Sequence, residues 1–152
     1  MRLTSYSDYA MRVLLYLGAR DDKLCSVAEM ASAYGISHNH LVKVLNDLGK
    51  AGYVASVRGR FGGFRLARPA ADINIGALLR HTEGDVHLVD CPSCVLAGGC
   101  GASSVLDEAL AAFFAVLDRC SLADLTERER DFRRLILSLD PGRATVGAGA
   151  RR

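Results

Sequence analysis

The chain has 152 residues, half of them hydrophobic and 24% charged, with a net charge of +2. That length predicts one compact domain and excludes a large multidomain enzyme, while the composition excludes a disordered chain. The longest unbroken apolar run, Ala109 to Leu117, is nine residues, too short to cross a bilayer, so no membrane partner is expected. The opening Met1-Arg2-Leu3-Thr4-Ser5 lacks the apolar core of a secretory signal, and the expected location is the cytoplasm.

A first helix from Ser5 or Ser7 to about Arg20 is predicted by Ala10, Val13, Leu14 and Leu17 at helical spacing. Ser26-Val27-Ala28-Glu29 reads as a capping box that opens a second helix, and Gly35 stands where a left-handed residue closes it. Ser37 is a further N-cap candidate, leading a third helix with Leu41, Val44, Leu45 and Leu48 on one face and Gly52 at its end. Two helices joined by so short a turn have the layout of a helix-turn-helix. Tyr53 to Val57 then reads as a strand, Arg58 to Gly63 as a glycine-rich turn, and Phe64 to Leu66 as a second strand. A helix-turn-helix followed by such a hairpin is a winged helix.

After Pro69 a short helix is expected from Ile75 to about Arg80, then a loop carrying Cys91, Cys94 and Cys100, then a long helix from about Ser103. Leu106, Leu110, Phe113, Leu117 and Cys120 step by 4, 3, 4 and 3 along it, the seam of a coiled coil. Because the winged helix has its own core, this seam is expected to meet a second subunit. Thr126-Glu127-Arg128-Glu129 reads as another capping box, opening a last helix to about Leu139, and 141–152 reads as a disordered tail. The expected fold class is therefore mainly α with a small β-hairpin. A winged helix-turn-helix DNA-binding domain spans 1–80, a cysteine loop 81–101, and a dimerisation helix with a C-terminal helix 102–140.

Charge follows these elements. Residues 1–35 carry four basic and four acidic groups, residues 36–68 six basic groups against Asp47 alone, and residues 69–152 nine basic against twelve acidic. A basic tract alone is as readily a solvated face as a polyanion site. Here it coincides with the third helix and the hairpin. Ser37, His38, Asn39, His40 and Lys43 give that helix a polar N-terminal end of the kind that enters a major groove, and Asn can read an adenine edge. Arg58, Arg60 and Arg65 flank or occupy the glycine turn, where little side-chain bulk lets arginine reach a minor groove. Double-stranded operator DNA is the expected partner.

Cys91-Pro92-Ser93-Cys94 and Cys100 form a Cys-x2-Cys-x5-Cys cluster. In a cytosolic chain such spacing points to a soft metal, an iron–sulfur centre or redox chemistry before structural disulfides. Gly98 and Gly99 permit close backbone approach. Zinc with His87 as a fourth ligand and a reversible disulfide both fit the residues as well. Cys25 and Cys120 read as small buried hydrophobes.

Met1 to Thr4, Ser7-Asp8-Tyr9-Ala10, Ser37 to Val54 and Val57 to Leu66, together with the three-cysteine loop, resemble the bacterial winged-helix iron–sulfur regulators of the NsrR/IscR/RirA family, over about residues 1–126. The resemblance implies a homodimeric transcription regulator, not an enzyme, whose Cys91, Cys94 and Cys100 bind a cluster, [4Fe–4S] or alternatively [2Fe–2S]. Its nitric-oxide-sensing branch is most similar, through Ser37 to Lys43. Asp8 occupies the position from which members of that branch supply a fourth, carboxylate ligand to the partner subunit's cluster. This branch implies a repressor that nitric oxide releases from its operator by nitrosylating the cluster. Another branch places a histidine three residues after the last cysteine, where this chain has Ser103. The gap between the first two cysteines is shorter than is usual in the family. The alternatives are a relative that responds to iron or cluster supply and, from a different class, a thiol–disulfide or zinc-dependent redox protein. The βαβ context of the latter is absent.

A chain of this kind is expected to lose DNA affinity steeply with added salt, because each neutralised phosphate releases counterions. A binding constant that hardly changes between low and moderate salt would contradict the basic-tract assignment.

Overall fold

The computed structural model describes residues 2–91, 93–96, 99–128 and 131–139. Pro92 and Gly98 of the cysteine loop, Glu129 of the expected capping box and the tail 141–152 lie outside them. Helix α1 (Ser5–Ala19) is capped by Thr4, whose hydroxyl accepts from the Ser7 N–H. It buries Ala10, Val13, Leu14, Tyr16 and Leu17 in the hydrophobic core. Helix α2 (Val27–Tyr34) opens with the reciprocal Ser26–Glu29 capping box and ends at Gly35 with φ +63°.

Helix α3 (His38–Lys50) buries Leu41, Val44, Leu45 and Leu48. Ser37 holds its N-cap position, although its side chain makes no capping hydrogen bond. Strands β1 (Val54–Val57) and β2 (Gly63–Leu66) pair antiparallel, Val54 with Leu66 and Val57 with Gly63. Cys25 adds a one-residue bridge on the other side of β2, exchanging N–H···O bonds of 3.0 and 2.8 Å with Phe64. The wing is thereby sewn to the segment between α1 and α2.

A 3-10 turn (Ala70–Asp72), not anticipated from the sequence, precedes α4 (Ile75–Glu83). After the cysteine loop comes α5 (Ala102–Leu117). Its C-terminal end is fastened to the body. Arg80 and Asp118 form a two-pronged pair at 2.5 and 2.8 Å, the Asn74 amide donates to the Asp118 carbonyl at 2.7 Å, and Ile75 N–H donates to the Cys120 carbonyl at 2.9 Å. Of the expected seam, Leu117 and Cys120 pack on the margin of the core, while Leu106, Leu110 and Phe113 are half-covered. The buried residue of α5 is Phe114, beneath the Arg80 guanidinium.

The expected capping box at Thr126 is corrected by the structure. Thr126 lies inside α6 (Leu122–Arg128) and its hydroxyl donates to the Ala123 carbonyl one turn back, at 2.9 Å. The residues that cap α6 are Ser121 and Asp124, each binding the other's backbone N–H. The last helix, α7 (Phe132–Ser138), opens after Asp131. Both α6 and α7 rest on α1, through Leu122 against Gly18 and through the buried Arg20, which donates to the Ile136 carbonyl at 3.0 Å. No helix among the described residues is long and apolar enough to cross a membrane.

The bridge to β2 leaves no room at Gly63, where an added Cβ would stand 2.9 Å from the Cys25 carbonyl oxygen and 3.1 Å from Leu24 Cβ. Gly63→Ala is expected to lower unfolding free energy by about 1–3 kcal/mol, as overpacking against backbone does. Denaturant midpoints measure this, and an unchanged midpoint would mean the Cys25–Phe64 bridge is not part of the folded state.

Candidate functional site: wing, cysteine cavity and the turn that joins them

The polar end of α3 faces solvent. Ser37, His38, Asn39, His40 and Lys43 are all exposed, as a helix that enters a groove requires. His40 is not wholly free, since its ring stacks on Tyr9 of α1 with centroids 6.2 Å apart. In the wing, Arg58, Arg60 and Arg65 are exposed. Arg68 has a different task. Its Nε donates to the Gly52 carbonyl at 3.1 Å and its guanidinium covers the Tyr53 ring at 4.6 Å, which fixes the α3–β1 junction. The exposed positive charge of the basic tract is therefore concentrated on α3 and the wing.

Cys91, Cys94 and Cys100 line one cavity of about 210 Å³, together with Val89, Asp90, Leu96, Ser103 and Leu106. Cys91 is half-buried; Cys94 and Cys100 are exposed. Cys94 N–H donates to the Cys91 carbonyl at 3.1 Å, which brings the two cysteines close in space. Among the described residues, no three His, Cys, Asp or Glu side chains converge to chelating distance. The donor set nonetheless fits an iron–sulfur group. Three cysteines line one mostly apolar cavity, and soft sulfur ligands in such surroundings suit iron–sulfur chemistry. His87 lines a neighbouring cavity with Cys91 and Asp90, not the one shared by the three thiols, so the fourth zinc ligand is not assembled with them.

Asp8 is not among the residues lining the thiol cavity of its own chain. It pairs with Arg12 one turn along α1, at 2.8 and 3.0 Å, with both side chains more than two-fifths exposed. The carboxylate beside the thiols within the chain is Asp90, which accepts from the Ser93 hydroxyl at 2.6 Å.

Between wing and cavity lies a turn that sequence reasoning missed. The last three residues of α4 each reach another helix. His81 Nε2 and the Tyr6 hydroxyl share Asp47 Oδ2 of α3, at 2.8 and 2.7 Å. With that carboxylate ionised, Nε2 is the donor. The Ser7 hydroxyl donates to Thr82 at 2.7 Å, and Glu83 accepts from the Thr4 N–H and hydroxyl at 2.8 and 2.9 Å. Burial alone would raise the Asp47 carboxyl, but its hydrogen bonds from Tyr6 and His81 outweigh it and hold the group below its ordinary value. The same balance, with bonds from Ser7 and Thr4, depresses Glu83. Both carboxylates thus stabilise the fold above their ordinary acid range, and that contribution is lost as pH falls through their lowered values. Tyr6 is pushed the other way, by burial first and then by the Asp47 charge.

A helix-turn-helix with a glycine-tipped wing defines a winged-helix DNA-binding protein. Residues 3–128 match the family described as "Rrf2: Iron-dependent Transcriptional regulator", and the chain belongs to that family. It is 45% identical over 142 residues to the HTH-type transcriptional regulator NsrR of Bacillus subtilis, spanning 90% of this chain and 97% of that one. NsrR of Geobacillus kaustophilus is 46% identical over the same share of each. Among solved structures, CymR, the global cysteine regulator of B. subtilis, matches with a TM-score of 0.73 at 25% identity over 85% of this chain and 98% of that one. T. potens IscR matches at 0.70 and 27% identity, over 84% of this chain and 88% of that one. The protein is accordingly a DNA-binding transcription regulator and not an enzyme.

Burial pushes the Cys25 thiol up to about 11, with the Glu29 charge adding to it. Anaerobic, cluster-free protein treated with iodoacetamide at mildly alkaline pH is expected to label Cys94 and Cys100 fast and Cys25 only after denaturation. Mass mapping reads this out; rapid native labelling of Cys25 would contradict its place beneath the wing.

Proposed function

We propose that this protein is a homodimeric repressor that holds an iron–sulfur cluster, most simply [4Fe–4S], on Cys91, Cys94 and Cys100 and leaves its operator when nitric oxide reaches that cluster. The observation that carries the reading is that Cys91, Cys94 and Cys100 line one cavity at the foot of α5. The similarity to NsrR proteins over nine-tenths of the chain favours nitric oxide as effector over a response to iron or cluster supply. When bound, the cluster supplies an iron at which a small diatomic can react.

The chain's own residues account for the rest. Cys91, Cys94 and Cys100 anchor the loop around the cavity. The partner's Asp8 completes the ligand set and ties the first helix of one subunit to the loop of the other. Ser37, His38, Asn39, His40 and Lys43 meet the major groove, and Arg58, Arg60 and Arg65 meet the minor groove and backbone. The last turn of α4 is the route between them, because the loop leaves from Glu83 while His81, Thr82 and Glu83 hold α3 and α1. When the loop loses its anchor, both helix-turn-helix units of the dimer shift. A dimer reading two half-sites at fixed spacing loses many contacts together when that spacing changes.

Anaerobic purification is expected to yield a brown protein with about four irons per chain, and titration with nitric oxide should bleach its visible absorption and release operator DNA in step. Asp8→Ala should leave a folded dimer with a more labile cluster, whereas Cys94→Ser and Cys100→Ser should abolish it. An iron-free protein that still occupies its promoter normally would sink the proposal. A spectrum unmoved by Asp8→Ala but altered by Asp90→Ala would move the oxygen ligand into the same chain.

A further inference from the structure

The wing tip carries a residue that neither the helix-turn-helix nor the cysteine loop uses. Phe61 is 85% exposed, at the apex of a turn flanked by Arg58 and Arg60. The Arg60 guanidinium lies 5.6 Å from the centre of its ring. The turn that presents it is glycine-determined. Gly59 has φ +125°, Gly62 N–H donates to the Gly59 carbonyl at 3.0 Å, and a Cβ on Gly62 would collide with the Val57 carbonyl. The backbone there is narrow, and the ring projects from it as the bulkiest apolar group of the loop.

Among the described residues, the other exposed large hydrophobics of the wing come down to Val57, 40% exposed at the end of β1; the rest lie outside it, on the cysteine loop (Val95, Leu96), on α5 (Val105, Val116) and on α7 (Leu135) among others. Phe61 with one half-exposed valine falls short of the apolar patch that a protein partner would cover. Its neighbours are cations, which suits a polyanion. An apolar ring among arginines on a thin hairpin fits a duplex in one way. The arginines meet phosphates and the minor-groove edge while the ring slides between two base pairs and partly unstacks them.

We infer that Phe61 is an intercalating wedge that opens a base step of the operator from the minor groove, making the wing tip a reader of DNA deformability. Pyrimidine–purine steps, which kink most easily, are the sites it selects. The inference rests on the assignment of the wing to DNA. Phe61 supports nothing else in the chain, so its replacement leaves the fold and the thiol cavity intact.

The test uses the full-length protein, purified anaerobically, and a duplex that it selects from a randomised pool, with 2-aminopurine placed in turn at each step the wing can reach. Wild type is expected to raise 2-aminopurine fluorescence at one pyrimidine–purine step per half-site. Phe61→Ala should abolish that rise and weaken binding on the order of tenfold, as loss of one aromatic–base contact does, with an unchanged salt slope. Phe61→Leu should retain much of both. The double variant Arg58→Ala/Arg60→Ala should instead lower the salt slope. If the arginine variant lowers the slope while Phe61→Ala binds within twofold of wild type and gives the same fluorescence, the wing meets DNA but the wedge is wrong. If the arginine variant leaves the slope unchanged, the wing does not meet DNA at all and the inference falls with it. Phe61-dependent binding to phosphatidylglycerol vesicles, with no effect on the duplex, would assign the ring to a lipid surface and overturn it equally.

Discussion

One carboxylate oxygen holds the recognition helix in place. Asp47 Oδ2 receives the hydroxyl of Tyr6 from α1 and the imidazole of His81 from α4, so three helices meet at one atom. Two residues further along α4, Glu83 receives both the N–H and the hydroxyl of Thr4. Neutral hydrogen bonds contribute about 1 kcal/mol each, and those to a charged partner about twice that. Their placement matters more than their sum. They define where α3 stands relative to the first residue of the cysteine loop, since the chain enters that loop directly after the helix they hold.

The loop carrying the three thiols begins just after the last turn of α4 and ends in α5, whose C-terminal end is clamped to the same α4 by Arg80 and Asp118. It therefore leaves α4 directly and rejoins the body through α5. The uncovered stretch of α5, with Val105 at 65% exposure and Leu106, Leu110 and Phe113 half-covered, borders the cavity. In the proposed dimer the second subunit would cover this stretch, bringing its own α1 and Asp8 toward the loop.

The DNA-binding unit was legible because its signals are local. Ser26 with Glu29, Gly35 at the turn and the glycines of the wing each dictate structure within a few residues, and the structure places them as read. The same local grammar misled at Thr126. The pattern Thr-x-x-Glu can cap a helix only where the chain has already left one, and Ser121 with Asp124 had opened α6 five residues earlier. The junction at α4 carried no such signal. Its bonds join residues 34, 41, 75 and 79 positions apart, and Asp47 stood out in the sequence only as the lone acid in a basic tract. Arg68 was hidden for the same reason: a carbonyl and a ring brought near by folding, not a phosphate, claim it. The thiol cavity lay between these cases, its ligand types plain from spacing and its walls set by α5.

Asp8 shows why a ligand from another subunit is physically reasonable even though its own chain already gives it a partner. The Asp8–Arg12 pair is one helical turn in span and about half exposed on both sides. Pairs of that kind contribute about 0.3–0.5 kcal/mol, less in salt. A carboxylate so weakly held exchanges its arginine for a metal ion at little cost, whereas Asp47, shared between two helices, does not. Arg12 would not be left bare by the exchange, since its guanidinium also lies 5.9 Å from the centre of the Tyr34 ring on α2. The first helix thus carries one acid held by a single exposed pair and packs against another held by two helices. In the proposed dimer Asp8 would report the state of the cluster, while Asp47 keeps α3 in register with the helix from which the loop departs.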